Sequence, residues 1–358
     1  MNITPIYTRK YGIENTIVTA ALSAPDEYVI LLSSGDVIRQ KMNASEGEYL
    51  FSVQSSLGYR DGGFDISAPS TIYTLDDIVV VVNDYKTHGY VHYPGKYPAL
   101  HLWRNDYYAS ISRYPVALFR DPQHIPYIIY ATAWNCVHIM NLDTRQIVTA
   151  TKSLIEELAE EKHLEFYKTH EETTKLPWPS SYDYFYGELR MSPDGSKFLS
   201  AGWGWGSCDL YHIYDIAHFI SSNRIAHKRI NGWEHNNRGV CWVDDNTVAV
   251  TYHPYSDEED DAIKEAPGEI HFYNVAGPTP EIIKKIKLAD VSILNTNLHY
   301  SKQLQAFIAF SDTLGVMVFS PEGNILFHDP NLKIGGYNAA ANLLIQTAEN
   351  TLTICQIG

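Results

Sequence analysis

A four-strand pattern recurs about every 45 residues along this chain, and it constrains the fold more than any other feature. The pattern is clearest in residues 187–230, 238–288 and 295–328. Each copy reads as a strand, a tight turn, an apolar strand, a loop, an aromatic-rich strand, a turn and a last strand. Such a unit cannot bury its faces alone and must stack on its neighbours. The repeat therefore predicts an all-β ring of four-stranded blades, a β-propeller.

The chain has room for six complete blades and part of a seventh. Residues 17–328 fill six blades, with the third blade predicted to end in a strand over 146–151. Beyond them the sequence supplies only three strands, and the unassigned N-terminal strand Ile3–Lys10 is the natural fourth. Its pairing with the C-terminal strands would close the ring and remove two exposed sheet edges. We therefore predict one seven-bladed domain over 1–358, although redrawing a boundary near 54–75 would give six or eight blades.

The fourth unit carries a resemblance to a known family. Residues 191–202, MSPDGSKFLSAG, resemble the first-to-second-strand turn of WD40-type repeats. Residues 211–216, YHIYDI, are similar to the third strand, with Tyr214 and Asp215 where the Trp-Asp pair usually stands. No true Trp-Asp dipeptide occurs in the chain. The resemblance implies a divergent WD40-like propeller, a fold that hosts many unrelated functions.

The charge balance is strongly acidic. The chain has 27 Lys and Arg against 42 Asp and Glu, a formal net charge of −15. An acidic surface repels phosphate backbones, so we expect no nucleic-acid partner. The same charge has two interpretations: it keeps the protein soluble, or it attracts a basic partner.

The cellular compartment of the protein is predicted from its cysteines and from the length of its apolar runs. The four cysteines have no paired spacing, which favours reduced, buried thiols and a cytoplasmic location. The start of the chain lacks a basic region followed by an apolar run, so no signal peptide is expected. The longest apolar run covers only 78–82, which predicts no membrane association.

The predicted loops are unequal on the two faces of the ring. Because strands alternate in direction, first-to-second and third-to-fourth turns open on one face and all other connections on the opposite face. Most turns of the first kind are minimal. The second kind includes long segments at 54–64, 104–114, 152–186, 203–208, 231–237 and 253–268. Long loops in a compact fold are usually functional or disordered, so we predict a binding surface on this long-loop face.

The largest of these loops, 152–186, is predicted to be a helix-containing insertion between blades three and four. Ser153 and Glu156 have the spacing of a capping box that would start the helix. We consider two roles for the segment: a lid packed on the propeller, or a helix that docks a partner.

Tryptophans and one polar cluster are the candidate contacts on the long-loop face. Large aromatic side chains are favoured as interface anchors, although they also pack loops. The sequence 233–238, WEHNNR, adds polar groups near the predicted channel mouth. The residues predicted to bind a partner protein or peptide are Trp178, Trp203, Trp205, Trp233, His235 and Arg238.

No catalytic motif is visible in the chain. The sequence lacks a nucleophile elbow, a phosphate loop, a zinc helix and a dinucleotide fingerprint. The acidic run 256–261 lacks the glycine and terminal glutamate of a calcium loop. We therefore predict no catalytic residue, no metal and no cofactor, and a non-enzymatic protein-binding role, in its specific form an inhibitor or immunity-type protein for a basic effector. The alternative is a propeller hydrolase, such as a lactonase, acting on a small polar substrate at the channel mouth.

Overall fold

Seven antiparallel sheets follow one another along the chain, which confirms the all-β, seven-bladed propeller. The computed structural model describes residues 1–53, 63–170, 181–205, 208–231, 238–252, 268–288, 293 and 296–358. Blades one and two contain β2 (Ile17–Ala24), β3 (Glu27–Leu32), β4 (Asp36–Lys41), β5 (Glu48–Ser52), β6 (Ser70–Leu75), β7 (Ile78–Asn83), β8 (His88–Tyr93) and β9 (Tyr97–Trp103).

The third blade has three strands, not the predicted four. They are β10 (Val116–Arg120), β11 (Pro126–Ala133) and β12 (Cys136–Asn141). The predicted strand over 146–151 is wrong, because it contributes only one bridge, between Met140 and Ile147. The backbone N–H of Ile139 donates to the hydroxyl of Thr149 at 2.9 Å. The hydroxyl of Thr149 thus takes the place of the backbone carbonyl that the next β-sheet hydrogen bond would need, and the strand pairing ends there.

The remaining blades have four strands each. Blades four to six contain β13 (Phe185–Met191), β14 (Lys197–Gly204), β15 (Cys208–Asp215), β16 (Lys228–Asn231), β17 (Val240–Asp244), β18 (Thr247–Tyr252), β19 (Glu269–Asn274), β20 (Glu281–Lys287), β21 (Asn297–Ser301), β22 (Ala306–Ser311), β23 (Gly315–Phe319) and β24 (Ile325–Asp329). Blade seven contains β25 (Gly336–Asn338), β26 (Leu343–Ala348), β27 (Thr351–Ile357) and β1 (Ile3–Lys10).

The N-terminal strand closes the ring as predicted. β1 pairs antiparallel with β27, from Ile3 opposite Ile357 to Lys10 opposite Thr351. Next to β1, the hydroxyl of Tyr11 lies 2.9 Å from that of Tyr28 in β3, which joins blade seven to blade one. The ring therefore has no break between its first and last blades.

The hydrophobic core is divided among the blade interfaces. In the described part of the chain, seven buried clusters occur, and each joins the facing sides of two neighbouring blades. This arrangement follows from the sequence, because the second and third strands are apolar on both faces, as in β7 (IVVVVN). Each sheet is thus covered on both sides only when the ring is complete.

The insertion after blade three starts its helix later than predicted. Helix α1 spans Ala159–Thr169 and has no side-chain cap, so the capping box of Ser153 and Glu156 is wrong. Residues 153–157 lie along blade four instead, where Ser153 N–H donates to the carbonyl of Asn223 at 2.7 Å and Glu156 bridges Ile225 in parallel.

The beginning of the insertion therefore packs on the outer edge of blade four. It lies beside the third-to-fourth connection, which carries helix α2 (Ile216–Ser221). That connection opens on the face opposite the long-loop face, so this first part does not lie at the channel mouth. No residue of α1 is buried.

Two further findings concern thiols and membrane spans. None of the four cysteines forms a disulfide; Cys241 and Cys355 are buried, whereas Cys136 and Cys208 are partly exposed. Within the described ranges, no helix has the length and apolar character needed to cross a bilayer.

Candidate functional site: the channel mouth and its aromatic rim

A β-bulge shapes the innermost strand of blade four. β13 pairs with β14 at Phe185–Trp203 and again at Glu188–Ala201, with a register shift between them. Gly187 lies in this bulge, and a Cβ there would collide with the carbonyl of Ala201. Bulges of this kind re-aim side chains and are frequent next to functional sites.

Glu188, just after the bulge, is the centre of a charged network in the channel. Its carboxylate lies 2.9 Å from the guanidinium of Arg113 and 3.0 Å from that of Arg190. Arg113 also pairs with Asp84 at 3.5 Å, and Arg190 donates to the carbonyl of Leu298 at 2.7 Å. The network thus connects loops and strands from blades two, three, four and six.

The network fixes the charge of Glu188. Burial alone would raise the pKa of this carboxyl, but the positive charges of Arg190 and Arg113 outweigh it and lower the pKa to about 2. A general base that works near neutral pH needs a pKa close to that pH. Glu188 is therefore a structural anion and is poorly suited to the hydrolase chemistry considered above.

A second ion pair lies where the chain enters blade five. Arg238 is only 4% exposed, and its Nε lies 3.3 Å from Asp209. The same carboxylate accepts the backbone N–H of Arg238 at 3.0 Å, and Tyr211 donates its hydroxyl to the Arg238 carbonyl at 2.5 Å. These contacts fix the arginine in the wall of the channel.

The two ion-pair groups enclose a cavity of about 700 Å³, which we call the channel mouth. It is lined from blades two to six. Its polar wall contains Ser112, Arg113, Glu188, Arg190, Asp209, Tyr211, Arg238, Thr296 and Asn297. Its apolar wall includes Tyr85, Ile111, Ala201, Trp203 and Val240.

The loop between blades two and three borders this cavity and is fixed by one buried arginine. Arg104 donates to the carbonyls of Lys86, Ala109 and Ser112 at 2.8, 3.2 and 2.7 Å. Its guanidinium lies 4.7 Å from the ring centroid of Tyr114. Burial lowers the pKa of Arg104 to about 10, which leaves the side chain charged at neutral pH.

Exposed apolar side chains surround the mouth on this side. Tyr107, Tyr108, Ile111 and Trp205 are each between 41% and 53% exposed, and we call them the aromatic rim. Tyr108 contacts Tyr107 and Trp205 edge to face, with ring centroids 4.8 and 5.6 Å apart. Large apolar groups are seldom exposed together unless they bind something.

Buried Phe185 and partly buried Trp203 support the rim from below. Trp203 stacks on Phe185 with ring centroids 3.7 Å apart and an angle of 6° between the planes. Its indole N–H donates to the hydroxyl of Ser112 at 2.8 Å. Trp205 packs edge to face on the same Phe185 at 5.0 Å. The rim therefore rests on a rigid base rather than on solvent.

Tyr108 has a strained backbone. Its φ is 53°, in the left-handed region that costs a side-chain-bearing residue roughly 1–2 kcal/mol. Strain of this kind persists where the surrounding contacts impose it, and it often accompanies functional sites. Here the strained residue is an exposed tyrosine of the aromatic rim.

The structure brings together three of the six predicted contact residues. Trp203 and Arg238 line the channel mouth, and Trp205 belongs to the aromatic rim. Trp178, Trp233 and His235 lie outside the described residues. Whether any of the six binds a partner remains a prediction.

Sequence reasoning missed most of the site. Tyr107, Tyr108 and Ile111 lie in the 104–114 loop, which the sequence marks only as long. Arg113 and Glu188 are 75 residues apart in the chain and meet only because the ring closes. Among the described residues, no group of three or more potential metal ligands occurs.

Comparison with solved structures identifies the fold. The structure of the Neurospora crassa Pan2 WD40 domain aligns with a TM-score of 0.55 at 11% identity, covering 99% of this chain and 96% of that one. The WD40 β-propeller domain of Doa1 aligns with a TM-score of 0.53 at 12% identity, covering 100% and 98%. This chain has the WD40-type propeller fold. The predicted WD40-like architecture is thereby confirmed.

At these identities the likeness of the WD40-type propeller to its structural neighbours shows the fold alone. No family model and no curated protein matches the sequence.

Proposed function

We propose that this WD40-type propeller is a non-enzymatic interaction module that binds a partner protein or peptide on its long-loop face. The aromatic rim is the observation that carries the proposal. Four large apolar side chains are held exposed on a rigid base, beside a cavity of about 700 Å³. Tyrosine and tryptophan dominate binding energy at protein interfaces because they bury a large area at low entropic cost.

In its specific form, the partner is a basic effector and this protein is its inhibitor or immunity-type antagonist. The support for this form is the formal net charge of −15. A charge of this size attracts a basic protein over several ångströms and speeds encounter, and salt weakens the effect.

The rim is tested with matched variants in an affinity capture from the organism that makes the protein. The test variant is Trp205→Ala combined with Tyr108→Ala. The control is Tyr49→Ala, which removes an aromatic side chain that is 60% exposed on the outer strand β5. Partners retained by the wild type and the control are expected to be lost from the rim variant.

The captured partner then allows a quantitative measurement. If the rim contributes at least about 2 kcal/mol to the free energy of partner binding, the Kd of the double variant is expected to be at least roughly 30-fold higher than that of the wild type. Equal affinity of the rim variant and the wild type would refute the proposed surface. Binding that does not weaken between low and high salt, or a partner without net positive charge, would refute only the basic-effector form.

A further inference from the structure

The exposed rings of the aromatic rim stand nearly at right angles to one another. The ring of Tyr108 makes an angle of 83° with that of Tyr107 and of 88° with that of Trp205. In an edge-to-face pair one ring contributes only its edge, so this contact leaves the faces of that ring uncovered. The three residues are between 41% and 52% exposed, so a ligand can reach the rim from solvent. The face of an aromatic ring carries partial negative charge and attracts cations.

One buried ring joins the members of the rim into a single surface. Phe185 contacts Tyr107, Tyr108 and Trp205, with ring centroids 6.2, 5.4 and 5.0 Å away. Trp134 adds a further ring, 4.4 Å from Phe185 and 5.8 Å from Tyr107. A cation on the rim can therefore interact with several rings at once. Because these rings pack on one another, little of their freedom remains to be lost when it binds.

The charged groups next to these rings are acidic. The rim, Phe185 and Trp134 belong to four segments of the chain, 105–112, 133–135, 181–187 and 201–205. The only charged side chains in these segments are those of Asp106 and Asp183, and both residues are exposed. Within the described ranges, neither carboxylate pairs with a lysine or an arginine. The rim therefore combines accessible aromatic rings with accessible negative charge.

The channel mouth beside the rim adds no net charge. Its three arginines are balanced by three carboxylates, in ion pairs among Arg113, Arg190, Arg238, Asp84, Glu188 and Asp209. Arg104 is only 3% exposed, and its guanidinium donates to carbonyls of its own loop. Asp106 and Asp183 therefore set the sign of the charge beside the rim, which is also the sign of the formal net charge of −15.

We propose that the aromatic rim binds an arginine side chain of the partner, with the guanidinium stacked on the exposed rings and its charge attracted by Asp106 and Asp183. This inference rests on the proposed function and specifies the chemistry that the rim recognises. A guanidinium is planar and more weakly hydrated than an ammonium group, so it loses less hydration when it stacks on an aromatic face. It also forms charge-assisted hydrogen bonds with carboxylates.

The probes are two tripeptides, Ac-Ala-Arg-Ala-amide and the same peptide with citrulline in place of arginine. Citrulline has nearly the shape of arginine but is neutral, so the pair isolates the effect of the charge. Binding to the full-length protein at constant ionic strength is followed by NMR. The signals are the indole N–H groups of Trp203 and Trp205, which are assigned with Trp203→Phe and Trp205→Phe.

Three variants locate the binding. Trp205→Leu removes one exposed ring of the rim but retains an apolar side chain, and its binding is measured through Trp203. Asp106→Asn combined with Asp183→Asn removes both negative charges with little change of shape. The control Tyr49→Ala removes an exposed ring on the outer strand β5.

The arginine peptide is expected to shift the indole signals saturably, with a Kd on the order of 10 mM, and the citrulline peptide to bind at least about 5-fold more weakly. Trp205→Leu is expected to weaken the binding of the arginine peptide at least about 3-fold and that of the citrulline peptide less. The double Asn variant is expected to lower the preference for arginine roughly 3-fold, because the carboxylates act on the charge alone. Tyr49→Ala should bind both peptides as the wild type does.

Several results would overturn the arginine site. They are no saturation up to about 100 mM, equal binding of the two peptides, or an undiminished preference for arginine in both Trp205→Leu and the double Asn variant. The outcome is separable from that of the proposed function. A rim variant that loses its partner while the two peptides bind equally refutes only this inference. Preferential arginine binding together with a rim variant that retains its partner refutes only the proposed function.

Discussion

The charged network in the channel makes a pH-dependent prediction for Glu188→Gln. The folded-state pKa of about 2 lies below the value of 4.5 for an unperturbed glutamate. The carboxylate therefore stabilises the fold above the unfolded pKa, and this stabilisation is lost as the pH falls toward the folded pKa. The difference corresponds to about 3 kcal/mol at neutral pH, of which about 2 kcal/mol is lost by pH 3.

The measurement is urea denaturation of the wild type and of Glu188→Gln between pH 7 and pH 3. We expect the variant to be less stable by about 3 kcal/mol at pH 7 and by only about 1 kcal/mol at pH 3, because the glutamate of the unfolded wild type is then mostly protonated and must release its proton on folding. The control Glu165→Gln removes an exposed carboxylate on helix α1 and should change neither value. Parallel stability curves for the wild type and Glu188→Gln would refute the assignment of Glu188 as the anion that the arginines stabilise.

Three further predictions concern the support of the site and the closure of the ring. Arg104→Met should lower the free energy of unfolding by roughly 3 kcal/mol, because three loop carbonyls lose a charged donor; a loss under about 0.5 kcal/mol in urea denaturation would contradict this role. Gly187→Ala should lower the melting temperature by several degrees, since the bulge has no space for a Cβ, and an unchanged melting curve would show that the bulge can relax. Tyr28→Phe should cost about 1 kcal/mol by breaking the hydroxyl contact with Tyr11, and equal unfolding midpoints would exclude that contact.

The seven-bladed ring could be predicted because the sequence patterns that indicate it lie within short stretches of the chain. Alternating apolar strands and tight turns recur in each blade, and the spare N-terminal strand is visible by simple counting. The missing fourth strand of blade three could not be predicted, because Thr149 ends the ladder through its hydroxyl and not through the backbone pattern. The start of helix α1 was misplaced because tertiary pairing of Glu156 with Ile225 overrides the local capping signal.

The site was predictable only in part, because its groups come from distant parts of the chain. Trp203 and Trp205 were found because glycines flank them in a loop on the predicted face. Glu188 could not be predicted as a site residue, because a carboxylate in a strand usually faces solvent. The bulge in β13 is what turns Glu188 toward Arg113. Arg104 is buried by a loop whose length, but not whose path, can be read from the sequence.

The seam between β1 and β27 has a consequence for how this molecule is made. Thr8 and Thr353, whose hydroxyls lie 3.4 Å apart across the seam, are 345 residues apart in sequence. During synthesis the first strand must therefore wait, unpaired, until nearly all the other blades have emerged. Contacts between such distant segments form slowly because the loop between them must first be ordered. The exposed edge of β1 is then open to pairing with other chains, so the ring is most vulnerable to aggregation before its last strand arrives.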